Sequence, residues 1–181
     1  TERSLIRVLA PKREVGISTL KVGDDAWNYL PKIDRTLKIS SSAMGGAWMG
    51  SHISNDDLVR GTRLREAYTW VLKSRPNEAG EGHYELHLKA KPDAPVVWGY
   101  VHIRMSAKKT PMSIEYFNER ELLIRTMTFE ALKEINGRWV PMEMRVTPAK
   151  AKGEYTELIY DVLEFDVKIP PRTFSLQALK R

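Results

Sequence analysis

The sequence predicts a mainly β protein of the α+β type, a single antiparallel sheet of about ten strands that curls without closing, with few helices. Three observations carry this expectation. Short runs rich in β-branched and aromatic residues recur along the chain and are punctuated by Pro, Gly, Asn and Asp. Two segments, HYELHLKA and YVHIRMS, alternate between apolar and polar side chains. Between residues 40 and 61 the pattern breaks into SSSAMGGAWMGSHISNDDLVRG, a stretch of small residues, Met and Trp that runs into the clearest helix start in the chain.

In chain order, residues 5–9, 18–22, 27–30 and 35–40 read as the first strands, separated by PKREVG, GDD and PKID turns. A short helix is expected over 55–60, a turn at 93–97, and a further turn of helix in the last residues. In HYELHLKA, Tyr84, Leu86 and Leu88 share one face, while His83, Glu85, His87 and Lys89 share the other. In YVHIRMS, Val101, Ile103 and Met105 oppose His102 and Arg104. NER and ING read as hairpin turns in the region that follows, and EYTELIYDVLEFDV reads as the last strand before IPPRTFSLQALKR. A sheet with one apolar face must close, be covered, or be filled by a ligand. The visible helices are too few to cover it.

With 181 residues the chain is long enough for one domain that hides roughly 70% of its unfolded surface. The net charge of +6 favours anionic partners, but the basic residues are dispersed, as in KIDRTLK and RMSAKK, which fits a solvated surface. No apolar run approaches the ~18 residues of a membrane-spanning helix, so an integral helical membrane protein is not expected. The absence of cysteine excludes disulfides, thiolate zinc sites and cysteine nucleophiles. Thr1 opens on what reads as a strand in mid-flow, without the charged start and apolar stretch of a signal peptide, so a processed or trimmed chain is expected.

The chemistry candidates have strong structural alternatives. His52, Asp56 and Asp57 have the residue types of a cation site, but Ser54 three residues before Asp57 is the capping-box spacing, and acids in a first helical turn are favoured by its exposed amides. His83 and His87 lie on one strand face but about 13 Å apart, too far to share a metal. SAMGGAWMGS lacks the Lys-Ser/Thr ending of a phosphate-binding loop. Its glycines, Met44, Trp48 and Met49 read instead either as an adaptable apolar segment that faces a ligand, free to move beside the short helix, or as an ordinary buried connector. Trp27, Tyr29, Trp70 and Trp98 lie among aliphatic strand residues, so base stacking and nucleic acid are set aside. No cofactor, metal or catalytic residue is expected.

VGDDAWNYLPKIDRTLKISSSAMGGAWMGSHISNDDLVRG resembles the signature region of bacterial outer-membrane lipoprotein-sorting proteins of the LolA-like superfamily. PVVWGYVHI, RTMTFEALKEINGRWVPMEMRV and LEFDVKIPPRTFSLQALKR resemble the same family, in the same order, over nearly the whole chain. One departure is visible: His52 stands where the family shows an acidic residue after MGS. The resemblance implies an unclosed antiparallel half-barrel, a periplasmic location and an apolar cavity for the acyl chains of a lipoprotein or lipid. An inner-membrane transporter and an outer-membrane acceptor follow as further partners. Residues 1–181 would then form one LolA-like domain lacking the family's N-terminal helix and first strands.

An acyl chain gains about 0.8 kcal/mol per buried methylene, so an apolar groove can hold one without covalent chemistry. The groove candidates are Trp27, Tyr29, Leu37, Ile39, Met44, Trp48, Met49, Leu58, Val101, Ile103 and Met105. The alternative is a non-enzymatic interaction module that presents an apolar sheet face to a membrane-associated complex.

Overall fold

The computed structural model describes residues 2–60 and 64–180. The strands are β1 (Arg3–Arg7), β2 (Ser18–Val22), β3 (Asp25–Leu30), β4 (Arg35–Lys38), β5 (Tyr68–Ser74), β6 (His83–Ala90), β7 (Tyr100–Ser106), β8 (Pro111–Phe117), β9 (Leu123–Ile135), β10 (Arg138–Pro148) and β11 (Thr156–Ile159). The helices are α1 (Asn55–Arg60), α2 (Leu64–Ala67) and α3 (Leu176–Leu179), with 3-10 turns at Pro31–Ile33, Ser41–Ala43, Trp48–Gly50 and Pro171–Phe174.

The expected single sheet is instead two. β1 to β4 form a four-stranded sheet in sequence order, and β11 to β5 form a seven-stranded one, both antiparallel. The physical reason lies between Lys38 and Tyr68, where 3-10 turns, α1 and α2 replace the tight hairpin that would carry one sheet into the next. Three smaller differences accompany this. The first strand is Arg3–Arg7, two residues earlier than expected. The 93–97 stretch, with Pro92 before it and Pro95 inside it, forms a turn only at its start and no helix. The last strand stops at Ile159, beyond which Tyr160 and Val162 are exposed.

The contacts divide the chain into two compact units. The first contains the described residues of 1–46, 54–61 and 167–181. Here α3 packs on β2, and the 171–174 turn packs on β1 and β2. Leu20, Ala26 and Leu179 are fully buried. The Arg7 guanidinium donates to the Ala178 carbonyl, and Arg3 lies over the Phe174 ring, so the last residues are tied to the first strand. Buried Lys21 is neutralised by Glu2 at 2.8 Å.

The second unit contains 47–53 and the described residues of 62–166. Its longest hairpin, β9–β10, turns through Asn136 and Gly137, whose φ values of 52° and 74° match a two-residue turn of the twist that strands prefer. At the Asn118 turn between β8 and β9, the side-chain Oδ1 accepts from the amides of Arg120 and Leu122. Gly99, just before β7, has no room for a side chain, because a Cβ would meet the Glu119 Cα at 2.7 Å.

Candidate functional site

Cross-strand register builds one face of the seven-stranded sheet from apolar residues. Leu72, Leu86, Ile103, Ile114, Met127 and Val146 stand opposite one another in an unbroken row across β5 to β10 that ends on Thr156 of β11. The adjacent row runs Trp70, Leu88, Val101, Tyr116, Arg125, Pro148. Met105 opposes Tyr84 one step further along. Each of these strands contributes every second residue to this face, as the pleat requires.

Arg125 is the single charge in the two rows, and it is 4% exposed. Its guanidinium lies 4.5 Å from the Trp98 ring and 4.3 Å from the Tyr116 ring, and Nη1 donates to the His52 carbonyl at 2.7 Å. Flanking aromatic faces and a carbonyl acceptor replace part of the hydration that the cation loses. The signal for Arg125 is its parity in LIRTMTF: it shares a strand face with Met127 and Phe129.

The 47–53 segment is pinned to this sheet. The His52 amide donates to Thr156 Oγ1 at 2.9 Å, and His52 Nδ1 lies 3.0 Å from the same oxygen. The segment is also folded on itself, the Trp48 amide donating to the Ile53 carbonyl and the Ser51 amide to that of Trp48. Met49 is held there at φ 51° with its side chain 39% exposed. Trp48 is half-buried and Ile53 buried.

Ser54 and Asp57 form the expected capping box. The Ser54 amide donates to Asp57 Oδ2 at 2.7 Å, and the Asp57 amide donates to Ser54 Oγ at 3.3 Å. His52 therefore works with Thr156, and Asp57 with its own helix start. Among the described residues, no three His, Asp or Glu side chains gather as a metal site.

The predicted groove residues fall in both units. Val101, Ile103 and Met105 share the apolar face of the seven-stranded sheet, with Val101 fully buried. In the four-stranded sheet, Trp27 and Tyr29 pair with Lys38 and Thr36, while Leu37 pairs with Asn28. Trp27 and Tyr29 thus face one side of that sheet, Leu37 and Ile39 the other. Met44 is buried, its carbonyl accepting from the Asp56 amide, and Leu58 is half-buried on α1. A hollow of about 400 Å³ beside Leu132 and Trp139, and another of about 590 Å³ along 89–100, contain none of the predicted residues.

The opposite face of the seven-stranded sheet is polar. There the His87 and His102 rings stack at 3.6 Å with planes 9° apart, and Glu85 Oε1 sits 2.7 Å from His87 Nε2. Burial, then the neighbouring His87, holds His102 below the ordinary imidazole value. The hydrogen bond from His87 is the main reason Glu85 lies below the usual carboxylate range, with Arg104 and His83 adding to it. Spacing along one strand missed this pair because the stack joins neighbouring strands.

Two open antiparallel sheets, short helices and an apolar sheet face define a LolA-like β protein, and solved structures agree. A proposed outer membrane lipoprotein-sorting protein domain from Vibrio parahaemolyticus is 25% identical, with TM-score 0.86 over 99% of this chain and 77% of that one. A DUF1329 family protein from Desulfovibrio piger is 23% identical, with TM-score 0.87 over 98% and 76%. A LolA superfamily protein from Nitrosomonas europaea is 21% identical, with TM-score 0.78 over 98% and 78%. A family model described as "Uncharacterized protein"-like matches residues 1–181, and the chain belongs to that family. Its neighbours in structure are the lipoprotein-sorting and LolA-superfamily domains that its signature residues resemble. No curated protein matches the sequence significantly.

Proposed function

We propose that this protein is a periplasmic carrier that holds the acyl chains of a lipoprotein or another lipid against the apolar face of its seven-stranded sheet, with no covalent chemistry. The whole of 1–181 acts as one LolA-like domain in this reading. The observation that carries it is the row from Leu72 to Val146, six apolar residues in register on six consecutive strands. Fold likeness to a domain described as outer membrane lipoprotein-sorting supports the cargo class and the compartment. An acyl chain that buries about ten methylenes gains about 8 kcal/mol, which before ordering costs corresponds to micromolar binding.

Of the predicted groove residues, Ile103 and Met105 are the most direct probes, because both are half-buried on this face. Titration with a fluorescent acyl probe should give saturable binding to the unsubstituted protein. Ile103→Glu should abolish it, while Glu115→Gln on the opposite face should not. Equal binding by the Ile103→Glu and unsubstituted proteins, with the fold intact by circular dichroism, would sink the reading.

A further inference from the structure

Among the described residues the two sheets present four edges, and three carry charges along their length or are short. β1 is bracketed by Arg3 and Arg7, β4 by Arg35 and Lys38, and β11 is four residues long with Glu157 in its middle, paired to Arg145 at 2.8 Å. β5 is the least protected, because its lysine and its register shift both lie at the Leu72–Ser74 end and leave Tyr68–Leu72 regular and uncharged. Tyr68–Ser74 reads YTWVLKS, contains no proline, and has one charge, Lys73, placed where the register with β6 shifts between Leu72 and Ser74. Trp70, Val71 and Leu72 are 59%, 58% and 39% exposed.

The backbone phase of this edge follows from its neighbours. The Lys91 amide donates to the Ala67 carbonyl, which makes that pair hydrogen-bonded. Hydrogen-bonded and non-bonded pairs alternate along an antiparallel ladder, so Thr69 and Val71 direct their amides and carbonyls toward β6. Tyr68, Trp70 and Leu72 direct theirs outward, away from the sheet.

We propose that β5 is the contact strand of a homodimer, pairing antiparallel with β5 of a second copy about a two-fold axis at Val71. In that register, Val71 meets the partner's Val71 in a non-hydrogen-bonded pair, and Trp70 meets the partner's Leu72 in a hydrogen-bonded one. Thr69 meets the partner's Lys73, so the strand's only charge never faces itself. The outward amides and carbonyls of Trp70 and Leu72 are satisfied, and the apolar row continues from one sheet into the next. The favoured occupant is a second copy because the exposed apolar Trp70 and Leu72 stand symmetrically about Val71 and the one charge, Lys73, lies off the axis, so two-fold pairing sets apolar against apolar and no charge against its like.

The test uses the chain as it stands. Sedimentation across a concentration series should show a dimer for the unsubstituted protein. Val71→Glu and Val71→Lys each place like charges opposite one another at the axis, and each should raise the dissociation constant by at least about tenfold. Mixing the two variants should restore the dimer, since opposite charges then meet. The chain has no cysteine, so Val71→Cys provides a single thiol, and mild oxidation should link two copies through it. Circular dichroism identical to the parent protein separates lost pairing from lost folding. A parent protein that is monomeric throughout overturns the proposal, as does a dimer indifferent to both charge substitutions.

Discussion

Arg125→Met removes the only charge from the two central rows of the apolar face while nearly conserving side-chain length. The loss comprises a charge-assisted hydrogen bond to the His52 carbonyl at 2.7 Å and stacking against Trp98 and Tyr116. A hydrogen bond to a charged group contributes about 1.5–3 kcal/mol, and each cation–π contact about 0.5–2 kcal/mol. Methionine recovers part of the aromatic contact, so the net loss is about 3 kcal/mol. Because the hydrogen bond lands on the 47–53 segment, much of this appears as local opening there. Native-state hydrogen exchange at the Trp48, Ser51 and His52 amides should accelerate by roughly a hundredfold. Arg125→Lys keeps the charge but not the planar stack and should fall between. If exchange at those three amides in Arg125→Met stays within about twofold of the parent, Arg125 does not hold the segment and the reasoning fails.

Three further outcomes are expected. Ser54→Ala removes half of the capping box and should lower unfolding stability by about 0.5–2 kcal/mol in urea titrations, with Ser54→Gly costing only a few tenths. His52→Ala should leave acyl-probe binding unchanged, since the backbone contacts of residue 52 to Arg125 and Thr156 survive the substitution. The His87–His102 stack should make stability pH-dependent. His102 is harder to protonate folded than unfolded, so the unfolded state binds more protons and stability falls as pH drops below about 6.5, the ordinary imidazole value. Glu85 adds a second loss at lower pH, as its hydrogen-bonded carboxylate is protonated. His102→Gln should flatten the first phase of urea midpoint against pH and leave the second.

Strands with one wet and one dry face were legible from sequence, because alternation in HYELHLKA and YVHIRMS states which side each residue takes. The Asn136–Gly137 turn was equally plain from residue chemistry. β5 was not, since Trp70, Val71 and Leu72 are consecutive apolar residues, exposed on both faces of an edge, and show no alternation. The break into two sheets was hidden for a related reason: strand signals do not say whether successive strands pair. Trp27 and Leu37 look alike in sequence but lie on opposite faces, because a register of Trp27 with Lys38 fixes their parity and no local pattern does. The contacts of His52 were not legible from the Gly/Met/Trp segment, because its partners Arg125 and Thr156 are 73 and 104 residues away.

The contact between Arg7 and the Ala178 carbonyl spans 171 residues. The packing on β1 and β2 is supplied by α3 and the 171–174 turn, so this unit is assembled from segments far apart in sequence. The seven-stranded sheet is built instead from hairpins between strands adjacent in sequence. Closing the long loops between distant segments costs chain entropy that hairpins between neighbours do not, so the four-stranded unit orders later than the seven-stranded sheet.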